Sequence, residues 1–241
     1  MKNGRSLVGV LALSLAVAGA FATANTAQEK AAAPAAKPAA ATQPASAPAK
    51  GAAAASGFKD PSALTKQAPA TFKAKFDTSQ GVIVIEATRD WAPIAVDRFY
   101  NLIVSGYFEN VRFFRVVPNF VVQFGIHGDP AVSKNWMNAK LKDEPVKEGN
   151  KRGTLTYAKS SAPNSRTTQI FINLKDNTSL DAQGFAAFAK VVEGMDVVDK
   201  FNSEYGESLT GLQQQIYQEG NAFLAAKAPR LDFIKTATIL P

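Results

Sequence analysis

From Pro69 onwards the chain is a succession of short apolar runs separated by polar turns. Thr71 to Thr78 alternates, with Phe72, Ala74 and Phe76 on one face, which is the period-2 mark of a half-buried strand. Gly81 to Ala87 follows after a polar turn at Ser79-Gln80. Pro93 occupies the place of a first helical residue. Val96, Phe99 and Ile103 then recur at helical spacing until Gly106 ends the run. Further apolar or alternating runs span 111–117, 120–126, 153–158, 168–173, 186–192 and 233–239. A second helix is expected over about 194–203. A third is expected to start at Ser208, with Leu209, Leu212 and Ile216 as its apolar stripe. Seven or eight short strands with few helices predict a mainly β fold, either a closed antiparallel barrel or a sandwich.

Ahead of this body the pattern is different. Lys2 and Arg5 form a basic start, Leu7 to Phe21 is apolar, and Ala22-Thr23-Ala24 offers small residues for cleavage. Residues 1–24 therefore read as a secretory signal peptide. The apolar run falls short of the roughly 20 residues a spanning helix needs, and an uncleaved anchor is the alternative reading. No cysteine follows it, so a lipid-modified N-terminus is excluded. Residues 25–68 are rich in Ala, with Pro34, Pro38, Pro44 and Pro48 interrupting any helix that Ala favours. They read as a flexible or semi-extended linker. One domain over 69–241 remains, long enough to bury a core.

Composition narrows the function. There is no cysteine, so disulfides, thiolate nucleophiles and cysteine-ligated metals drop out. The net charge of +7 invites a nucleic-acid reading. However, Lys2, Arg5, Lys30, Lys37, Lys50, Lys59 and Lys66 precede the body against only Glu29 and Asp60. The body is close to neutral, whereas a nucleic-acid binder concentrates charge on its folded face. The single histidine, His127, lies in a loop-like Ile126-His127-Gly128-Asp129-Pro130 with no second ligand in view. It reads as a surface residue, which leaves metal and triad chemistry weak. HExxH, GxSxG and phosphate-cradling glycine motifs are absent.

The stretch Phe113-Phe114-Arg115-Val116-Val117-Pro118-Asn119-Phe120-Val121-Val122-Gln123-Phe124-Gly125 stands apart. Arg115 sits within an apolar strand, where an arginine is rarely buried without a partner or a task. Gln123 ends a second strand across a Pro-Asn turn. A hairpin here would bring Arg115, Phe120 and Gln123 onto one surface. A core hairpin whose arginine snorkels to solvent is equally compatible with these residues.

This stretch resembles the signature of the cyclophilins, a family of peptidyl-prolyl cis/trans isomerases. A second block, from Ala158-Lys159-Ser160-Ser161-Ala162-Pro163 to Gln169-Ile170-Phe171-Ile172-Asn173, is similar to the family's A-x-x-x-x-P-x-S-x-x-S-Q-F-F-I-N. A third, Leu180-Asp181 followed by Phe188-Ala189-Lys190-Val191-Val192-Glu193-Gly194-Met195, resembles L-D and F-G-K-V-x-x-G-M. The blocks occur in the family's order, over about 70–203, with a final strand near 233–239. The resemblance implies a closed eight-stranded antiparallel barrel capped by two helices, here with an extra helix near 208–225. It also implies an outer groove lined by Arg115, Phe120, Val121, Gln123, Ala158, Lys159, Gln169, Phe171 and Leu180. Arg115 and Gln123 take the catalytic positions and the others the substrate-binding ones, with the Lys159 backbone holding the extended peptide.

The implied reaction is rotation about an X-Pro bond, against a barrier of roughly 18–20 kcal/mol. No bond breaks, so neither metal nor cofactor is expected. The expected partners are unfolded or folding exported proteins, met in the periplasm or after secretion. Nucleic acid and stable membrane insertion after cleavage are not expected, and the chain is expected to be a monomer. Several positions depart from the family pattern. Val121 replaces a common Met, Phe114 a frequent His and Ala189 a frequent Gly. Ser179 stands where an aromatic is usual, removing part of one wall, so cyclosporin-like ligands should bind weakly. Phe185 falls near a usual His or Tyr. Ser179 also keeps open an alternative, a low-turnover chaperone or proline-peptide adaptor on the same fold. A tethered envelope module, resting on the linker alone, is a third reading.

Overall fold

Backbone pairing arranges the apolar runs in a computed structural model, which describes residues 60–241. The expected signal peptide and most of the expected linker lie outside the described residues. Eight antiparallel strands follow the predicted runs: β1 Thr71–Thr78, β2 Val82–Thr88, β3 Arg115–Val117, β4 Val121–Phe124, β5 Thr154–Tyr157, β6 Ile170–Asn173, β7 Ala187–Glu193 and β8 Ile234–Ile239. They form one curled sheet in the order β3-β4-β6-β5-β7-β2-β1-β8.

The expected closed barrel is only loosely closed. No regular ladder joins the edge strands β3 and β8. The irregular segment before β3 closes the gap instead, through a single bridge between Arg112 and Phe233. Flanking backbone bonds run from Asn110 N–H to Ile234 O and from Phe113 N–H to Asp232 O. This is why the apolar run at 111–117 yields only three residues of strand.

Aromatic residues fill the interior. Phe76 stacks on Phe99 at 5.9 Å, and Phe99 meets Phe188 edge-on at 5.2 Å between ring centroids. Phe99 belongs to α1, Pro93–Val104, which buries Val96, Phe99, Leu102 and Ile103. The Glu144 carboxylate accepts from the N–H groups of Ile94 and Ala95 in its first turn. Residues 64–68, placed in the linker by sequence, are fastened to this helix. Asn101 bonds both backbone groups of Lys66, and Asp97 accepts from Ala68 N–H.

The other helices depart from expectation. A short α2, Pro130–Trp136, was not expected; Asp129 caps it and Pro130 opens it. The helix expected over 194–203 is the single turn α3, Met195–Val198. Beyond it, Phe201 is held by a ring stack on Phe113 at 4.2 Å. The third helix, α4, begins at Gln213 and runs to Lys227, while Leu209 lies in the turns before it.

Phe113 and Phe114 are neighbours yet belong to different apolar clusters. Phe113 packs in the barrel, whereas Phe114 joins Ile126, Leu209, Ile216, Leu224, Ala228 and Leu231 in a second small core. The segment from about 205 to 231 is thus laid against the barrel wall. Its seat is tight at Gly220, which breaks α4 with φ +60°. A Cβ there would lie 2.0 Å from Gly128 O. Glycine alone satisfies both the backbone angle and the contact. Gly220→Ala should lower unfolding free energy by about 1–3 kcal/mol, read from urea denaturation. A variant as stable as the wild type would contradict this docking.

Candidate functional site

The register of β3, β4 and β6 builds the site. Arg115 stands opposite Gln123, and Gln123 opposite Phe171. Directly paired residues share a face of an antiparallel sheet, so these three form one row across three strands. Their neighbours Val116, Val122 and Ile172 form the alternate row and belong to the barrel core. Period 2 then adds Val121 and Gln169 to the outer face. The turn at Pro118-Asn119, closed by Phe120 N–H to Val117 O and with Asn119 at φ +58°, brings Phe120 alongside.

A groove of about 250 Å³ lies over this row. Arg115, Phe120, Val121, Gln123, Ala158, Lys159, Phe171 and Leu180 all line it, with Phe185, Thr210 and Gln213. Gln169 stands in the adjoining hollow, which shares Gln123, Ala158, Lys159 and Gln213 with the groove. All nine residues implied by the resemblance are therefore gathered on one surface.

Polar contacts run along the row. Arg115 Nη1 donates to Gln123 Oε1 at 2.9 Å, and Gln123 Nε2 donates to Gln169 Oε1 at 2.8 Å. Gln169 Nε2 in turn donates to Gln213 Oε1 at 2.9 Å and to the Tyr217 hydroxyl at 3.0 Å. The Arg115 guanidinium lies over the Phe120 ring at 5.3 Å. Its remaining contact is with Glu207. Nε donates to Oε2 at 2.8 Å and Nη2 to Oε1 at 2.6 Å. That hydrogen-bonded arginine holds the Glu207 carboxyl below its ordinary range, against a smaller desolvation effect.

The apolar end is carried by the turn Thr178–Gln183 and the residues after it. Buried amides tie it to the strands. Asn177 Nδ2 donates to Phe120 O and to Asn173 Oδ1, while Asn150 Nδ2 bonds Asp181 Oδ1 and Phe185 O. Ser179 is exposed and does not line the groove. Phe185 supplies a wall instead, edge-on to Phe171 at 5.9 Å with Lys159 Nζ over its ring at 5.1 Å.

Sequence reasoning missed Glu207, Thr210, Gln213, Tyr217 and the three buried asparagines. No periodicity marks the asparagines, and the other four lie in the segment for which the resemblance gave no role. His127 corrects a reading. It is half-buried rather than a surface residue, 5.1 Å from the Tyr107 ring, and its Nδ1 accepts from Asp129 N–H. Among the described residues no cluster of three or more His, Asp or Glu is arranged to hold a metal ion.

Burial pushes the His127 imidazole below its usual range, outweighing the raising influence of Asp129. Its contribution to stability is therefore whole above the unfolded value near 6.5 and is lost as pH falls through the depressed folded value. The thermal unfolding midpoint of the wild type should fall as the pH is lowered below about 6.5. His127→Asn, which keeps an acceptor, should flatten that decline. Equal slopes would remove His127 as its source.

Residues 73–218 match the family model for cyclophilin type peptidyl-prolyl cis-trans isomerases. A peptidyl-prolyl cis-trans isomerase of Acinetobacter baylyi is 35% identical over 163 residues, covering 64% of this chain and 83% of the relative. Peptidyl-prolyl cis-trans isomerase B of Escherichia coli is 37% identical over 157 residues, covering 60% and 92%. Among solved structures, a Cryptosporidium parvum cyclophilin type isomerase superposes with TM-score 0.53 at 20% identity, over 71% of this chain and 98% of that one. A crystal structure of that isomerase in the presence of the dipeptide Ala-Pro gives TM-score 0.52 at 21% identity, over 70% and 99%.

Proposed function

This chain belongs to the cyclophilin-type peptidyl-prolyl cis-trans isomerase family, and from that premise we propose that the groove over Arg115, Gln123 and Phe171 is where it turns X-Pro bonds. The observation that carries the reading is the continuous row itself, with a charged donor at one end and an apolar wall at the other. Phe120, Val121, Phe171 and Leu180 form the seat for a proline ring, with Ala158 and Lys159 along the peptide's path.

The chemistry asked of these residues is modest. The planar amide holds its nitrogen lone pair in conjugation, and twisting releases that pair. Desolvation in the groove disfavours the charge-separated planar form. The Arg115 guanidinium donates to the released nitrogen lone pair or to the prolyl carbonyl as the bond twists. Gln123 holds Nη1 from one side, and Gln169 holds Gln123. Arg115 and Gln123 are the residues that face the reacting atoms.

The substrates we propose are unfolded or folding exported proteins with X-Pro bonds, met by a monomer. Support for export is sequence alone: the basic start at Lys2 and Arg5, the apolar Leu7 to Phe21, and the Ala-rich stretch after it. The Ala-Pro dipeptide present with the Cryptosporidium enzyme fits the same class of ligand.

The full chain should accelerate isomerisation of an Ala-Pro tetrapeptide in a protease-coupled assay. One preorganised donor is worth on the order of 3–4 kcal/mol. Arg115→Ala should therefore lower kcat/KM by about two to three powers of ten without unfolding the protein. Negligible turnover by folded wild type would sink the catalytic reading in favour of a proline-peptide binder.

A further inference from the structure

Arg115 is held from outside the barrel as well as from within it. We propose that Glu207, carried by the segment between α3 and α4, is the positioning residue for the Arg115 guanidinium, so that this segment is part of the isomerase machinery. The inference rests on Arg115 acting on the substrate.

Donor counting is the first argument. A guanidinium has five N–H groups in a fixed fork. Glu207 takes the Nε one and one on Nη2, and Gln123 takes one on Nη1. One N–H on each terminal nitrogen is left, on a side chain that lines the groove. A bidentate carboxylate fixes the plane of the fork as well as its place, which a single amide from Gln123 does not. The two free donors are thereby aimed before the peptide arrives.

The second argument is how Glu207 is presented. It lies between Tyr205 and Leu209, both packed in the second core. Its turn is closed by Ser208 N–H to Tyr205 O and Thr210 N–H to Glu207 O. Arg230 ties down the same turn by pairing with Glu204. Thr210 Oγ1 donates to Glu207 Oε2 at 2.7 Å, so the carboxylate is itself held. Further along, Gln213 and Tyr217 accept from Gln169 at the other end of the row. The segment grips the polar row at both ends.

The third argument is that stability is a weak account of the pair. The Arg115 side chain is 17% exposed but the Glu207 side chain 54%, so water screens the carboxylate end and limits what the pair adds to folding. The pair's consequence falls on the orientation of Arg115.

The test uses the full chain and the Ala-Pro tetrapeptide assay, with Glu207→Ala, Glu207→Gln, Arg115→Ala and the double variant Glu207→Ala with Arg115→Ala. Glu207→Ala should lower kcat/KM about 5- to 20-fold, mostly through kcat. The isosteric Glu207→Gln, with one acceptor left, should fall between it and wild type. In the Arg115→Ala background Glu207→Ala should change nothing, because the group it positions is gone. The Arg115 Nε–H resonance in 15N spectra should shift and broaden in Glu207→Ala, with melting unchanged. Three outcomes overturn the proposal. They are wild-type or raised kcat/KM in Glu207→Ala, which would make the pair idle or a brake; an equal loss with and without Arg115, which would mark a structural role; and an unaltered Nε–H signal. If Arg115→Ala itself is fully active, the catalytic reading fails first and the positioning role with it. Loss in Arg115→Ala beside a silent Glu207→Ala would sink only the positioning role.

Discussion

The register between β4 and its two neighbours is the constraint on which the site depends. A strand has only two faces, so a one-residue slip of β4 would turn Val121 and Gln123 into the barrel, expose Val122 and Phe124, and part Gln123 from Arg115 and Phe171. Such a slip would bury an amide in an apolar core while giving up two apolar side chains. Local features also hold the register. The Pro118-Asn119 turn sets the β3–β4 hairpin, with Asn119 in the left-handed region. At the far end of β4, Gly125 sits at φ +108°, where a Cβ would fall 2.2 Å from Thr168 O. That close approach sets the backbone of β6 beside β4 and leaves Gln169 within reach of Gln123.

Upon this frame the segment from about 205 to 231 adds a second layer. Phe114 and Ile126 belong to the barrel chain but pack with Leu209, Ile216 and Leu224. Apolar side chains on the outside of the barrel, here just before β3 and just after β4, are costly unless something covers them, and the segment is that cover. Because the cover lies next to the groove, its polar residues fall on the end of the polar row. The same packing that buries Phe114 therefore places Glu207, Thr210, Gln213 and Tyr217 at the site.

The difference between near and distant contacts explains what could be read from the sequence. β1 was legible to the residue, since Phe72, Ala74 and Phe76 alternate without interruption. The nine residues on this surface were legible because each lies in a short block that resembles the family's. α2 was not, although Asp129-Pro130 is an ordinary helix start, because only Val132 and Trp136 give it an apolar stripe. The helix expected to 203 stops at Val198 because Phe201 is claimed by a ring stack on Phe113. Glu207 was the hardest to read. It meets Arg115 across 92 positions of sequence, and nothing in the residues around it says where the turn will land. The loosely closed barrel is the same kind of case, since a single bridge between Arg112 and Phe233 leaves no pattern in either segment.

The proposed rotation about an amide places unusual demands on a protein site, and the layout suits them. No proton has to leave the enzyme and no covalent bond has to form, so none of its groups needs to titrate near neutral pH. The requirement is a donor whose direction does not relax while the peptide twists. A long arginine side chain loses much conformational freedom when it is fixed, and that ordering must be supplied before the substrate binds if it is not to be taken from the barrier. Ordering by the barrel alone would rest on Gln123 and the face of Phe120. With a carboxylate on the opposite edge, itself fastened by Thr210 and flanked by half-buried Tyr205 and buried Leu209, the fork is held in three directions. On the proposed mechanism the pair then matters for the rate beyond what it adds to folding, because orientation in the free enzyme enters the barrier.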